Sequence, residues 1–160
     1  MRIRQFSRED LATVLLIQKS TPQSAQWREG DYTALAEQPR GMILVAELET
    51  MSPPIVVGFA AFEMVLDEAE LRNLAVHPAH QQRGLGRALL VEAHSRLLIA
   101  GARQLRLEIR TSNKPALKLY YSLGFQLQNL RKDYYHDPTE DAYVLSLTLR
   151  RRTVENPPGG

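Results

Sequence analysis

Gln81-Gln82-Arg83-Gly84-Leu85-Gly86-Arg87 is the stretch whose reading decides the fold. It follows the apolar run Leu71-Arg72-Asn73-Leu74-Ala75-Val76 and opens a helical pattern near Leu85. A strand, a glycine-bearing turn and a helix N-terminus, in that order, make an anion site. The first N–H groups of a helix lack intrahelical partners and its dipole adds positive potential. Glycine then lets a phosphate approach the backbone. The expected ligand therefore carries a pyrophosphate.

Two nucleotide signatures fit poorly. The dinucleotide pattern G-x-G-x-x-G matches Gly84 and Gly86 but meets Leu89 at its third glycine, and the triphosphate loop fails because no lysine follows Gly86. The pattern that fits is Arg/Gln-x-x-Gly-x-Gly/Ala, over Gln81 and the five residues after it. A strand-to-helix turn with two structural glycines is the plain alternative.

Composition narrows the class. At 160 residues one domain with a full core is expected. The net charge of +2 is small and the arginines are scattered, so nothing calls for nucleic acid. With no cysteine, disulfides, thiolate zinc sites and cysteine nucleophiles are excluded. His77, His80, His94 and His136 form no metal-ligand spacing, so no metal is expected. No apolar run is long enough to span a bilayer, and Met1-Arg2-Ile3-Arg4 precedes no signal-like segment. A cytoplasmic protein without a membrane partner is expected. The domain is placed at residues 1–150, with 151–160 as a disordered tail ending Asn156-Pro157-Pro158-Gly159-Gly160.

Along the chain, Ile3 and Phe6 predict a short strand, and Ser7-Arg8-Glu9-Asp10 a capping box before a helix carrying Leu11, Val14, Leu15 and Gln18. Ser24 is placed as the cap of a second short helix holding Trp27 and Tyr32. Strands follow at 42–48, 55–66 and 70–76, with turns at 49–54 and at Asp67-Glu68. A central helix at 85–100 buries Leu85, Ala88, Leu89, Ala93 and Leu97 and ends at Gly101. Residues 104–110 alternate strictly, with Leu105, Leu107 and Ile109 on one side and Glu108 on the other. A helix starts at Asn113 or Lys114 and ends before Gly124, and two closing strands lie at 125–135 and 142–149. Strand-helix-strand-helix, flanked by hairpin-like segments, implies a mixed sheet in one α/β domain.

The segment Gln81-Gln82-Arg83-Gly84-Leu85-Gly86 resembles the coenzyme A pyrophosphate loop of the GNAT acetyltransferase superfamily. Leu107-Glu108-Ile109-Arg110-Thr111-Ser112-Asn113 and Leu119-Tyr120-Tyr121-Ser122-Leu123-Gly124-Phe125 are similar to that superfamily's last block. Together with Leu71 to Pro78, Arg131-Lys132-Asp133-Tyr134-Tyr135 and Glu140-Asp141-Ala142, they resemble bacterial ribosomal-protein-alanine N-acetyltransferases. The resemblance covers residues 55–149, and Gln26-Trp27 is its one echo nearer the start. It implies a single GNAT-type domain with a mixed, mostly antiparallel sheet and helices on both faces. It also implies acetyl-CoA as donor, coenzyme A as product, and a protein or peptide N-terminus as acceptor, favouring the N-terminal alanine of a small-subunit ribosomal protein.

The same resemblance assigns roles. Glu108 corresponds to the proton acceptor, acting through water, although a glutamate between Arg106 and Arg110 reads equally as a solvated strand residue. Tyr120 corresponds to the acid that protonates the departing thiolate; a core aromatic is its plain reading, and Tyr121 the neighbouring candidate. Gln82, Arg83, Gly84, Leu85, Gly86 and Arg87 would cradle the pyrophosphate. Leu74, Ala75 and Val76 would pair with the pantetheine arm, one N–H polarising the thioester oxygen, and Asn113 would reach the same arm. Tyr134 and Tyr135 would hold the acceptor backbone or serve as half-buried strand aromatics. Arg83 and Arg87 are unfavourable at a helix N-terminus unless an anion binds there. A peptide α-amine, with pKa near 8 against about 10.4 for lysine, is easier to deprotonate by roughly 3 kcal/mol. A lysine side chain, a small-molecule amine, or a non-catalytic acyl-CoA-binding role stay open beside this reading.

Overall fold

The computed structural model describes residues 1–151. Its elements are β1 (Arg2–Gln5), α1 (Leu11–Lys19), α2 (Glu29–Glu37), β2 (Gly41–Leu48), β3 (Ile55–Val65), β4 (Glu68–Val76), α3 (Leu85–Ile99), β5 (Gln104–Arg110), α4 (Lys114–Ser122), β6 (Gln126–Tyr135) and β7 (Glu140–Thr148). The seven strands form one sheet in the order β1-β2-β3-β4-β5-β7-β6. β4 and β5 pair in parallel; the other neighbours are antiparallel. The expected disordered tail falls on 151–160, of which 152–160 lie outside the described residues.

Side-chain alternation divides the core in two. Val14, Ile17, Tyr32 and Leu35 from α1 and α2 pack on Ile43, Val45, Phe59 and Ala61. On the opposite face, Leu89, Ala93 and Leu97 of α3 and Leu117 and Tyr120 of α4 pack on Leu44, Phe62, Leu105 and Leu107. Truncating one of these fully enclosed leucines to alanine would cost about 2–5 kcal/mol. β6 has no such cover: every residue but Tyr135 is exposed, because β6 is an edge strand with no helix over it.

α3 ends as its sequence predicts. Gly101, at φ +101°, lets the Ala102 N–H reach the Leu97 carbonyl at 2.9 Å and its own N–H reach Leu98 at 3.1 Å, closing the last turn. The N-terminal half differs from expectation in three places. α2 starts at Glu29, so Trp27 precedes it; its first turn is capped by the Asp31 carboxylate on the Arg28 N–H at 2.8 Å. Ser24 instead bonds back to the Thr21 carbonyl. At 7–10 only one half of the capping box is made, from the Ser7 N–H to the Asp10 carboxylate at 2.8 Å, and Arg8–Asp10 forms a short tight turn ahead of α1. β4 begins at Glu68 because Leu66, left-handed at φ +59°, completes the reversal earlier.

One irregularity shapes the rest of the molecule. Ala61 pairs with Asn73 and Phe62 with Leu71, leaving Arg72 unopposed as a bulge in β4. A bulge bends its strand and increases local twist. The β4–β5 ladder stops at Glu70 and Arg106, just where this bend begins. Beyond it the two central strands part.

Candidate active site

The parting of β4 and β5 opens a cleft of about 1300 Å³ in the middle of the sheet. Its walls include β4 from Glu70 onward, the end of β5, the start of α3, α4, the loop 21–27 and the turn after β6. A strand with no neighbour leaves its edge hydrogen-bonding groups unpaired. The His77 N–H donates to Val57 of β3 at 2.8 Å. Groups alternate along a strand, so the N–H groups of Val76 and Leu74 face away from β3, toward the cleft. The Gln81 side chain takes the Val76 carbonyl at 3.0 Å and pins the glycine loop to this strand end. Leu74, Ala75 and Val76 all line the cleft.

The loop after β4 presents free backbone amides to the cleft. Among the described residues, no N–H from 82 to 87 has a protein acceptor; the first satisfied one is Ala88, on the Gly84 carbonyl at 3.0 Å. Gln82 (φ +62°) and Gly84 (φ +78°) are both left-handed, which curls the loop so that successive N–H groups converge. For Gln82 this costs about 1–2 kcal/mol of steric strain. A Cβ at Gly84 would meet no atom within 4 Å, so the space before this residue is open. Gly86 has a different reason: its missing side chain lets Leu119 of α4 come within 3.3 Å of where a Cβ would stand. Gln82, Gly84, Leu85, Gly86 and Arg87 line the cleft and Arg83 does not. Arg87 also bonds to Ser122, tying α3 to α4. His80 Nδ1 is buried at the same end without a hydrogen-bond partner among the described residues. Free amides, open space and an orphaned imidazole nitrogen fit a pyrophosphate ligand.

Across the cleft stand the titratable groups. Asn113 caps α4, its Oδ1 accepting the Ala116 N–H at 3.4 Å, and lines the cleft. Tyr120 lines the same wall with 5% of its surface exposed, packed on Phe125, and its hydroxyl has no partner among the described residues. Burial, with a smaller effect from Tyr135, raises the Tyr120 phenol well above its ordinary value, so it stays protonated at neutral pH. Tyr121 is 47% exposed and outside the cleft. Glu108 projects from the polar side of β5 into the cleft and meets Arg131 at 3.3 Å. Tyr134 and Tyr135 stand beside it with their rings edge to face. The nearby Glu108 carboxylate is the main cause that raises the Tyr134 phenol, followed by burial. Burial and then the Glu108 charge push Tyr135 up to about 12.

Three groups of contacts were not legible beforehand. Arg110 reaches the His136 carbonyl at 3.1 Å, the Pro138 carbonyl at 3.0 Å and Glu140 at 3.3 Å, with its guanidinium 4.4 Å from the Tyr135 ring centre. Glu140 also accepts from the Ser112 N–H at 2.9 Å; hydrogen bonding to Ser112 is the leading cause that holds its carboxyl below the ordinary value. This clamp fixes the turn after β6 to the loop that carries Asn113. Arg131 is the second, through its pairing with Glu108. The third is a buried network around Asn73 beneath the loop 20–28. The available signal was an asparagine at a buried position of β4, two residues after the buried Leu71.

Comparison with known proteins places this geometry. The model of the acetyltransferase (GNAT) family matches residues 11–125. A Bacillus subtilis (strain 168) protein, provisionally named a ribosomal protein bS18-alanine N-acetyltransferase, is 33% identical over 92% of this chain and 95% of its own. The Escherichia coli (strain K12) ribosomal protein bS18-alanine N-acetyltransferase is 45% identical over 59% of this chain and 65% of its own. The crystal structure of the Escherichia coli enzyme superposes with a TM-score of 0.78 at 31% identity, covering 96% of this chain and 97% of that one. A Salmonella typhimurium structure determined with its cofactor acetyl-CoA shares the fold, with a TM-score of 0.78 at 23% identity over 96% of each chain. Among the described residues no helix is long and apolar enough to cross a membrane.

Proposed function

Because this chain belongs to the GNAT acetyltransferase family and is an N-acetyltransferase, we propose that its acceptor is the N-terminal alanine of ribosomal protein bS18. One observation carries the proposal: the likeness to the bS18-alanine enzyme runs nearly the length of both chains, beyond the coenzyme-binding half. The family's donor, acetyl-CoA, supplies an activated acetyl thioester. In this reading the free amides of 82–87 hold its pyrophosphate, and the N–H of Leu74 or Val76 polarises the thioester oxygen. Asn113 contacts the pantetheine arm from the start of α4.

The remaining groups handle protons. Glu108 accepts the proton of the attacking amine, through water. Tyr120, kept protonated by burial, donates to the departing sulfur. Tyr134 and Tyr135 orient the acceptor backbone beside Glu108. Transfer is direct, because the sequence has no cysteine to carry an acyl group. The reaction takes place in the cytoplasm, where ribosomal proteins are made.

The test is acetylation of a synthetic bS18 N-terminal peptide, followed by mass spectrometry. The free peptide gains one acetyl group on its α-amine, and the same peptide with a blocked N-terminus gains none. Transfer to lysine or a polyamine in place of the α-amine would overturn the acceptor. Acetyl-CoA binding with no transfer to any amine would reduce the protein to a binding module.

A further inference from the structure

We propose that Asn73 is a positioning residue that sets acceptor affinity by holding the loop 20–28 as one wall of the active-site cleft. The proposal rests on the acceptor reading above. The loop joins α1 to α2 and has no helix or strand of its own. Residues 21–27 nevertheless form part of the cleft wall. Something must hold them there.

Asn73 does this from inside the sheet. It is 4% exposed, on β4 next to the bulge and directly before Leu74, whose N–H faces the cleft. Its side-chain amide grips the backbone of Ala25 from both directions: Oδ1 accepts the Ala25 N–H at 3.1 Å, and Nδ2 donates to the Ala25 carbonyl at 3.0 Å. This substitutes for a strand neighbour, since the loop gains the two bonds a ladder would give it. Nδ2 also donates to the Tyr32 hydroxyl at 2.9 Å. That hydroxyl donates to Gln18 Oε1, and Gln18 Nε2 donates to the Trp27 carbonyl at 2.7 Å. Asn73 and Gln18 therefore fix the loop at Ala25 and at Trp27, and the Tyr32 hydroxyl supplies the shorter bonds that join the two amides.

The arrangement is costly unless it is complete. A buried amide left without partners loses about 1–3 kcal/mol. Here both ends of Asn73 are satisfied: its partners are the loop carbonyl, the loop N–H and the Tyr32 hydroxyl, with a longer bond from Nδ2 to Gln18 Oε1 at 3.5 Å. No contact of the network reaches the 82–87 amides, Glu108 or Tyr120. Its side-chain contacts run to the loop side of the cleft instead.

The test compares wild type, Asn73→Ala and Tyr32→Phe in steady-state acetylation of the bS18 peptide, with acetyl-CoA Kd measured separately. Tyr32→Phe keeps the ring against Phe59 and removes only the hydroxyl that links the amides. Asn73→Ala should raise the peptide KM at least tenfold, and Tyr32→Phe at least threefold. Both should leave acetyl-CoA Kd and the slow acceptor-free hydrolysis of acetyl-CoA within twofold. A purely structural defect would instead move all of these with thermal stability. If Asn73→Ala does not fold, the Tyr32→Phe ratio of KM to Kd decides. Peptide KM within twofold of wild type, or Kd rising in step with KM, overturns the assignment alone. A wild type that transfers nothing to the peptide overturns both this assignment and the acceptor on which it rests.

Discussion

Glu108 and Tyr120 differ in what their surroundings ask of them. Glu108 has a cation within reach, two tyrosines beside it and a cleft in front. Glu108→Gln keeps the shape and removes the proton acceptor, so kcat should fall about 100-fold or more, with acetyl-CoA Kd unchanged by calorimetry. An unchanged kcat across the pH range would remove Glu108 from the reaction. Tyr120 offers a cleaner separation of stability from chemistry. Its hydroxyl has no protein partner among the described residues, so Tyr120→Phe breaks no internal hydrogen bond. The variant should melt within a few degrees of wild type, yet its transfer rate should fall about 100-fold if the hydroxyl supplies the proton. Wild-type rates would return Tyr120 to the core. Sequence could name these two residues by resemblance. It could not show that Tyr121 points away or that Arg131 stands against Glu108, because both depend on how α4 and β6 are placed relative to β5.

Helices and strands were legible where their chemistry is periodic. The alternation of residues 104–110 and the apolar stripe of residues 85–97 each specify one buried face, and both elements appear with nearly those bounds. The loop 20–28 and α2 were misread because serine, threonine and aspartate offer several equally good caps, and tertiary contacts from Asn73 and Gln18 choose among them. Two junctions carry predictions. At the start of α3, Gly84→Ala must hold a Cβ at φ +78°, which costs about 1 kcal/mol, but the Cβ meets no protein atom. Stability should drop slightly while acetyl-CoA Kd rises tenfold or more, because the Cβ occupies the space a phosphate needs. Equal Kd for both proteins would remove the loop from ligand binding. At the β1–α1 junction, Asp10 bonds to Arg4 at 2.8 Å through both oxygens. Burial would raise its carboxyl; the bonds from Arg4 and the Ser7 N–H outweigh it and leave it below its ordinary value. The folded form thus holds its proton less tightly than the unfolded chain. This stabilisation is present above about pH 4 and is lost as pH falls through the folded value. Asp10→Asn should lower stability by about 1–3 kcal/mol at pH 7 in urea titrations, and the difference from wild type should close toward pH 2.

The sheet as a unit depends on a feature no local pattern announces. Arg72 follows the apolar Leu71 with no glycine or proline beside it to signal a bulge, yet the bulge there separates β4 from β5 and opens the center of the domain. That is why a mixed sheet was readable from the order of strands and helices and the cleft was not. The opening leaves N–H groups of β4 facing the cleft and, on the loop after it, six amides with no protein acceptor among the described residues. Such groups rest on water until a ligand pairs with them. A ligand that spans both rows, with a pyrophosphate at the loop and an amide-bearing arm along β4, should stabilise the whole domain by linkage. At a concentration 100 times its Kd the gain is about 2.7 kcal/mol, which for a domain of this size raises Tm by about 5–10 °C. Acetyl-CoA should give this shift in differential scanning fluorimetry. Acetyl-pantetheine at the same concentration, which lacks the pyrophosphate, should give less than half of it. Equal shifts from the two would mean that the amides at the start of α3 hold no phosphate, and the cleft would then be only a groove for the arm.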